Sequence, residues 1–175
     1  MPRQVFEFEP PDRFVAGTVG QPGDRTFYLQ ASGSGRTVSV ALEKVQVALL
    51  AERLGDLLDE ARRRLGADVP DDVPELEDAA PLDAPVDEEF RVGTLGLAWD
   101  GDTATVVIEA TADGEEEEPE EDRDLLRVRI SAASARAFVS RAERVVAAGR
   151  PPCPLCGLPL DPSGHICPRQ NGYRR

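Results

Sequence analysis

The sequence predicts an α+β fold, in which two β-β-β-α units join side by side as one two-layer sandwich body. Two observations carry this. Apolar residues alternate along short stretches of residues 4–40 and then, from Leu42, recur at steps of three and four, which marks strands giving way to a helix. The segment Phe90-Arg-Val-Gly-Thr-Leu-Gly96 echoes Phe14-Val-Ala-Gly-Thr-Val-Gly20 at an offset of 76, so the same pattern is laid down twice. A hairpin sheet cannot bury its apolar face without the helix that follows it, and two such units most simply share one core.

In chain order, residues 4–9 alternate with Phe6 and Phe8 on one side, a half-buried strand ended by Pro10-Pro11. Residues 13–19 and 25–31 form a hairpin around the turn Gly20-Gln-Pro-Gly23-Asp, and Ser32-Gly33-Ser34-Gly35 turns the chain into a short strand over 37–40. The helix that follows has the stripe Leu42, Val45, Leu49, Leu50, Leu54, Leu57, Leu58, Ala61, Leu65. Arg62, Arg63 and Arg64 suit the negative end of its dipole, and Gly66 closes it. After an aperiodic stretch the pattern restarts: Phe90 to Gly96, then 103–110, then 127–130. Ser131 is the N-cap candidate of a second helix, with Ala135, Phe138, Val139, Ala142, Val145 and Val146 facing inward. The expected organisation is a first repeat over 1–66, an acidic Pro-rich linker over 67–86, a second repeat over 87–149 with an acidic loop at 113–124, and a terminal segment over 150–175.

The 175 residues carry a formal charge of −13, unevenly spread. Between residues 68 and 89 there are ten acids and no base, and between 113 and 124 nine acids against Arg123 alone. These two segments together carry −18 against the whole-chain −13, so the remainder is about +5 and the folded parts are open to a partner of either sign. The run at 115–124 falls where the first repeat has its Ser-Gly turn and lacks the oxygen spacing of a calcium loop, so it reads as a solvated hairpin insertion. Lys44 is the one lysine, a coding bias of GC-rich genomes. No apolar run approaches the ~18 residues of a membrane span, and strand-like sequence begins at once, so the expectation is a cytoplasmic protein.

All three cysteines and the single histidine fall within fifteen positions, as Cys153-Pro-Leu-Cys156-Gly157 and His165-Ile-Cys167. A Cys-x-x-Cys turn aims two thiolates at one point, and the Pro- and Gly-rich stretch 157–164 can fold back to bring His165 and Cys167 to the same ion. Cys153, Cys156, His165 and Cys167 fill a tetrahedron, which leaves no position for water, so the site is a structural zinc knuckle rather than a hydrolytic centre. The competing explanations are a Cys153–Cys156 disulfide with Cys167 left over, and Asp161 replacing His165 as fourth ligand.

With its one histidine committed to metal, the chain cannot build a Ser-His-Asp or Cys-His arrangement, and it lacks phosphate-loop and dinucleotide motifs. The repeated Gly-Thr-x-Gly lies inside strand pattern, where glycine serves a bulge or a close strand contact. Beyond the last ligand, Arg169, Gln170, Asn171, Tyr173 and Arg174 combine cations, amides and an aromatic ring, a mix that can hold a partner protein or RNA, or pack across its own domain.

The stretches from Val40 to Leu54, from Pro85 to Asp100 and from Cys153 to Tyr173 resemble an actinobacterial family known only as a domain of unknown function. The similarity covers essentially the whole chain and includes the cysteine and histidine pattern. It implies an actinobacterial cytoplasmic protein and supplies no activity. The leading functional expectation is therefore a non-enzymatic interaction or adaptor protein that presents a zinc-ordered basic C-terminal segment. The alternative is an enzyme or small-ligand-binding protein with a pocket between the two repeats, built from acids and arginines.

Overall fold

A computed structural model describes residues 3–21, 23–115 and 117–148. Its elements are β1 (Val5–Phe8), β2 (Arg13–Gln21), β3 (Asp24–Gly33), β4 (Arg36–Leu42), α1 (Lys44–Leu65), β5 (Glu88–Asp100), β6 (Thr105–Ala112), β7 (Leu125–Ser131) and α2 (Ala132–Ala147), with 3₁₀ turns at Pro74–Leu76 and Glu120–Asp122. The seven strands form one mixed sheet in the order β1-β7-β6-β5-β4-β3-β2. Both predicted hairpins are present, with Ala16 opposite Leu29 and Leu29 opposite Val40. The two strand groups meet through the parallel pair β4 and β5, and β1 runs parallel to β7 at the far edge.

The alternation decides which face is buried. Phe8, Ala16, Leu29, Val40, Val106, Ile108, Val128 and Ile130 point to one side and join a single cluster with Val47, Leu50, Leu54 and Leu58 of α1 and Ala135, Phe138, Val139 and Ala142 of α2. Both helices therefore cover the same face. Ser131 caps α2 by accepting from the Ser134 N–H at 3.1 Å, and Gly66, at φ 67°, ends α1.

The α1 stripe differs from its sequence expectation. Leu42 still belongs to β4, and Val45, Leu49 and Leu65 are exposed at 70%, 47% and 66%. The buried stripe runs Val47, Leu50, Ala51, Leu54, Leu58, Ala61. Residues two apart on a helix are turned by ~200°, so Val45 and Leu49 face away from Val47.

The sheet is rolled, as the chain itself requires. β1 and β2 lie at opposite edges, which a flat seven-stranded sheet would hold ~29 Å apart. The connection from Phe8 to Arg13 has four intervening residues and reaches at most ~18 Å when extended. The edges must curve toward each other, and α2 lies in the gap, against both β2 and β7.

Residues 67–86 have no strand or helix beyond the one 3₁₀ turn, in keeping with their aperiodic sequence, yet they are packed. Val69 and Val73 are buried. Glu77 accepts from the Ser140 hydroxyl on α2 at 2.7 Å, and Asp83 then meets Gln30 on the opposite face of the sheet. The stretch is a strap that wraps the β2 edge. In the acidic loop, Arg123 donates to the carbonyls of Glu115 (2.6 Å) and Glu118 (2.9 Å) and folds the loop onto itself.

Candidate functional site

The rolled sheet leaves a seam where its edges approach. This seam holds a cavity of about 180 Å³, walled by Arg13 and Phe14 from the first strand group, Ile130, Ser134 and Phe138 from the second, and Asp78 from the strap. Phe14 and Phe138 stack across it with ring centroids 4.7 Å apart, an aromatic contact that fixes α2 against β2.

Polar chemistry at the seam converges on Asp78. Arg13 donates to it through Nε at 2.6 Å and Nη2 at 3.1 Å, a forked pair, and Nη2 also reaches the carbonyls of Ala80 and Pro81. Arg141, from α2, donates through Nη1 to the Asp78 carbonyl at 2.6 Å and to its carboxylate at 3.3 Å. Its Nε reaches the Ala16 carbonyl of β2 at 2.8 Å. The hydrogen bond from Arg13 holds the Asp78 carboxyl below its ordinary value, and the same contact raises Arg13. Arg141 moves the other way, because burial outweighs the attraction of Asp78. A carboxylate held by two arginines is ionised and occupied, so it is a fastening rather than a proton carrier. The cavity is also smaller than the ~300 Å³ at which small-molecule clefts begin.

A second fastening lies on the outer face. The buried side chain of Gln30 exchanges two bonds with the Asp83 backbone: Nε2 donates to its carbonyl at 3.0 Å, and Oε1 accepts its N–H at 2.8 Å. Gly17, two strand positions from Val15, lies directly beneath Leu82, whose Cδ2 would be 2.5 Å from any Cβ placed there. The matching Gly93 sits at the β5 bulge, where a Cβ would come 2.9 Å from the Asp113 Cα. The leading glycine of each copy, Gly17 and Gly93, thus lies within a strand and serves close contact. Elsewhere the outer face is a charge ladder: Arg127 pairs with Glu109 (2.6 Å) and Glu7 (2.9 Å), and Arg129 with Asp100 (2.7 Å).

The metal-ligand candidates Cys153, Cys156, His165 and Cys167, and the partner-binding candidates Arg169, Gln170, Asn171, Tyr173 and Arg174, lie outside the described residues. Every cysteine and histidine of the chain lies there, so the body can offer a metal only oxygen ligands. Sequence reading missed the seam residues Arg13, Asp78 and Arg141. The one available signal was Arg141, a cation placed beside Phe138 and Ala142 on the apolar side of α2.

No helix among the described residues is long and apolar enough to cross a membrane. No curated protein and no solved structure matches the chain. The family model whose description is "Protein of unknown function (DUF3090)" matches residues 6–167, a span that takes in the body and reaches to Cys167, and the chain belongs to that family.

Proposed function

We propose that this protein is a zinc-binding interaction protein whose body is a scaffold and whose C-terminal segment, ordered by one structural zinc, is offered to a protein partner. The observation that carries the reading is the gathering of Cys153, Cys156, His165 and Cys167 within fifteen positions of a chain that has no other cysteine or histidine. The family span ends at Cys167 and so includes all four. Beyond them, Arg169, Gln170, Asn171, Tyr173 and Arg174 supply the cations, amides and ring of a contact surface. The body supports a scaffold role, since its best-placed carboxylates are engaged by arginines and neither histidine nor thiol is available there for acid–base or nucleophilic chemistry.

Two β-β-β-α units, β2-β3-β4-α1 and β5-β6-β7-α2, follow one another in the same order, and we read them as a duplication. The seam cavity between them favours a second reading, in which a small anionic ligand sits beside Arg13 and Arg141.

Elemental analysis of tag-free protein tests the first reading. It requires one zinc per chain, lost in Cys156→Ser and Cys167→Ser, and metal-free wild-type protein overturns it. Binding to a captured partner should be lost in the same variants. A partner set that is unchanged, with a small molecule co-purifying in the body, favours the seam. Binding of RNA through Arg169 and Arg174 would weaken as salt rises.

A further inference from the structure

Arg141 is 6% exposed, and its guanidinium is only partly engaged. Nε and Nη1 donate to the Ala16 carbonyl and to Asp78, whereas Nη2 has no acceptor among the described residues. Among those residues Arg123 Nε alone is both unpaired and sealed off, so Arg141 Nη2 is open to solvent. Arg141 is otherwise enclosed and lines the seam cavity, so the cavity is the space that reaches this donor. An unmet donor on a buried cation calls for an acceptor.

The charge around that donor is positive. Arg13 and Arg144 both oppose the ionised form of Arg141, and of the carboxylates only Asp78 favours it. Glu77 is engaged by Arg144 at 3.1 Å and by the Ser140 hydroxyl at 2.7 Å. Asp83 meets Arg13 at 3.3 Å with its side chain 55% exposed, where water screens it, and Asp12 is exposed as well. A desolvated guanidinium beside two further cations is under-neutralised, which favours an anion.

The shape of the cavity narrows the class. Along α2 it runs from the exposed Ser134 past Phe138 to Arg141, two helical turns or ~10.5 Å. Val15, Ile130 and Ala137 make the walls between these ends apolar. The volume of about 180 Å³ is below that of a drug-sized cleft but above the ~150 Å³ that encloses a benzene molecule. We propose that the seam binds a small carboxylic acid with a compact apolar body, about six to nine non-hydrogen atoms in all, whose carboxylate accepts from Arg141 Nη2. Inorganic phosphate fits less well, because one free amino group cannot satisfy a tetrahedral dianion and its other oxygens would face apolar walls. The proposal rests on an anion occupying the seam, the second reading of this protein's function, and names the class of that anion. It is independent of the zinc.

In the full chain, sodium benzoate should shift the Arg141 Nε–H resonance saturably, with a dissociation constant of about 1 mM or tighter. The resonance is identified by its absence from the spectrum of Arg141→Lys. Benzamide has the same shape without the charge and should bind at least about tenfold more weakly, a comparison made in wild-type protein alone. Ser134→Phe leaves every arginine contact in place and puts a ring at the mouth, so it should weaken benzoate by about tenfold or more while the circular dichroism stays that of the wild type. Benzamide binding as tightly as benzoate, or benzoate binding to folded Ser134→Phe as it does to wild type, overturns the carboxylate site. Inorganic phosphate shifting the resonance where benzoate does not overturns it too, and leaves an anion in the seam standing. No saturable shift with either probe overturns both, the seam then holding water alone.

Discussion

The Nε of Arg141 donates to the backbone carbonyl of Ala16 at 2.8 Å, joining residues 125 positions apart in sequence. β2 is an edge strand, and an edge carbonyl in a buried seam needs a donor. Arg141 supplies it from α2 and in the same geometry holds the strap through Asp78. The other edge is treated alike, since Arg36 donates to the Glu7 carbonyl of β1 at 2.8 Å and lies over the Phe8 ring. Each edge of the rolled sheet is closed by one arginine.

Arg141→Met should therefore cost about 2–3 kcal/mol, because it leaves a buried carbonyl unpaired and removes charge-assisted bonds. Arg144→Met, whose guanidinium pairs with Glu77 nearer the surface, should cost under about 1 kcal/mol. Urea denaturation of the two variants makes the comparison. Equal midpoints would mean that α2 is held by its apolar face alone.

Gly17→Ala should push Leu82 off the sheet. The new methyl would lie 2.5 Å from Leu82 Cδ2, and overpacking of this kind costs about 1–3 kcal/mol. Since the obstacle is a side chain, Leu82→Ala should relieve it. The double variant should be destabilised by less than the sum of the two singles, a coupling readable in a four-member denaturation cycle. Strict additivity would show that the strap does not lie on Gly17.

Local chemistry was legible in the sequence, and long-range pairing was not. The turn residues, the Ser131 cap, the Gly66 terminus and the alternation of Phe6 and Phe8 are signals contained in a few adjacent residues, and each has its counterpart in the fold. Nothing local says that β1 pairs with β7 or that β4 pairs with β5, because parallel partners are joined by long crossovers and share no turn. Composition also concealed the strap. A Pro- and Asp-rich stretch without periodicity reads as solvent-facing, and its anchoring depends on single residues (Asp78, Leu82, Asp83) meeting Arg13, Gly17 and Gln30 from far away in the chain. The α1 stripe was misplaced for a related reason: leucines occupy both the buried face and an exposed one, so period alone could not choose between Val47 and Leu49.

Acid should loosen the strap and the α2 contacts. Asp78 is held below its ordinary 3.8 by the hydrogen bond from Arg13, Glu77 below its ordinary 4.5 by the Ser140 hydroxyl and then Arg144, and Asp100 below 3.8 by Arg129. Groups that bind protons more weakly folded than unfolded stabilise the fold fully above the ordinary carboxylate values, and that contribution is lost as pH falls through their lowered folded values. These three contributions should thus be level between about pH 5 and 7 and decline below about pH 4. Asp78→Asn should shallow that decline, which a series of thermal midpoints against pH will show. An unchanged slope would remove Asp78 from the acid response.

Thiol chemistry separates the zinc site from its competitors. A zinc ligand must be a thiolate, and bound thiolates are shielded from alkylation until the metal is withdrawn. Native protein should expose few reactive thiols and, once treated with a chelator under denaturing conditions without reductant, should yield all three, with one zinc released per chain. A Cys153–Cys156 disulfide predicts one reactive thiol, Cys167, and no metal. The fourth ligand is then decided by His165→Asn and Asp161→Asn. Imidazole coordination requires zinc affinity to fall in the first and hold in the second, and the reverse pattern would transfer the ligand to Asp161. Because the described strands and helices end at Ala147, chelation should leave the far-ultraviolet circular dichroism of the body nearly unchanged. Loss of that signal on chelation would mean that the metal holds the sheet itself together, and the separation of scaffold from zinc-ordered segment would fail.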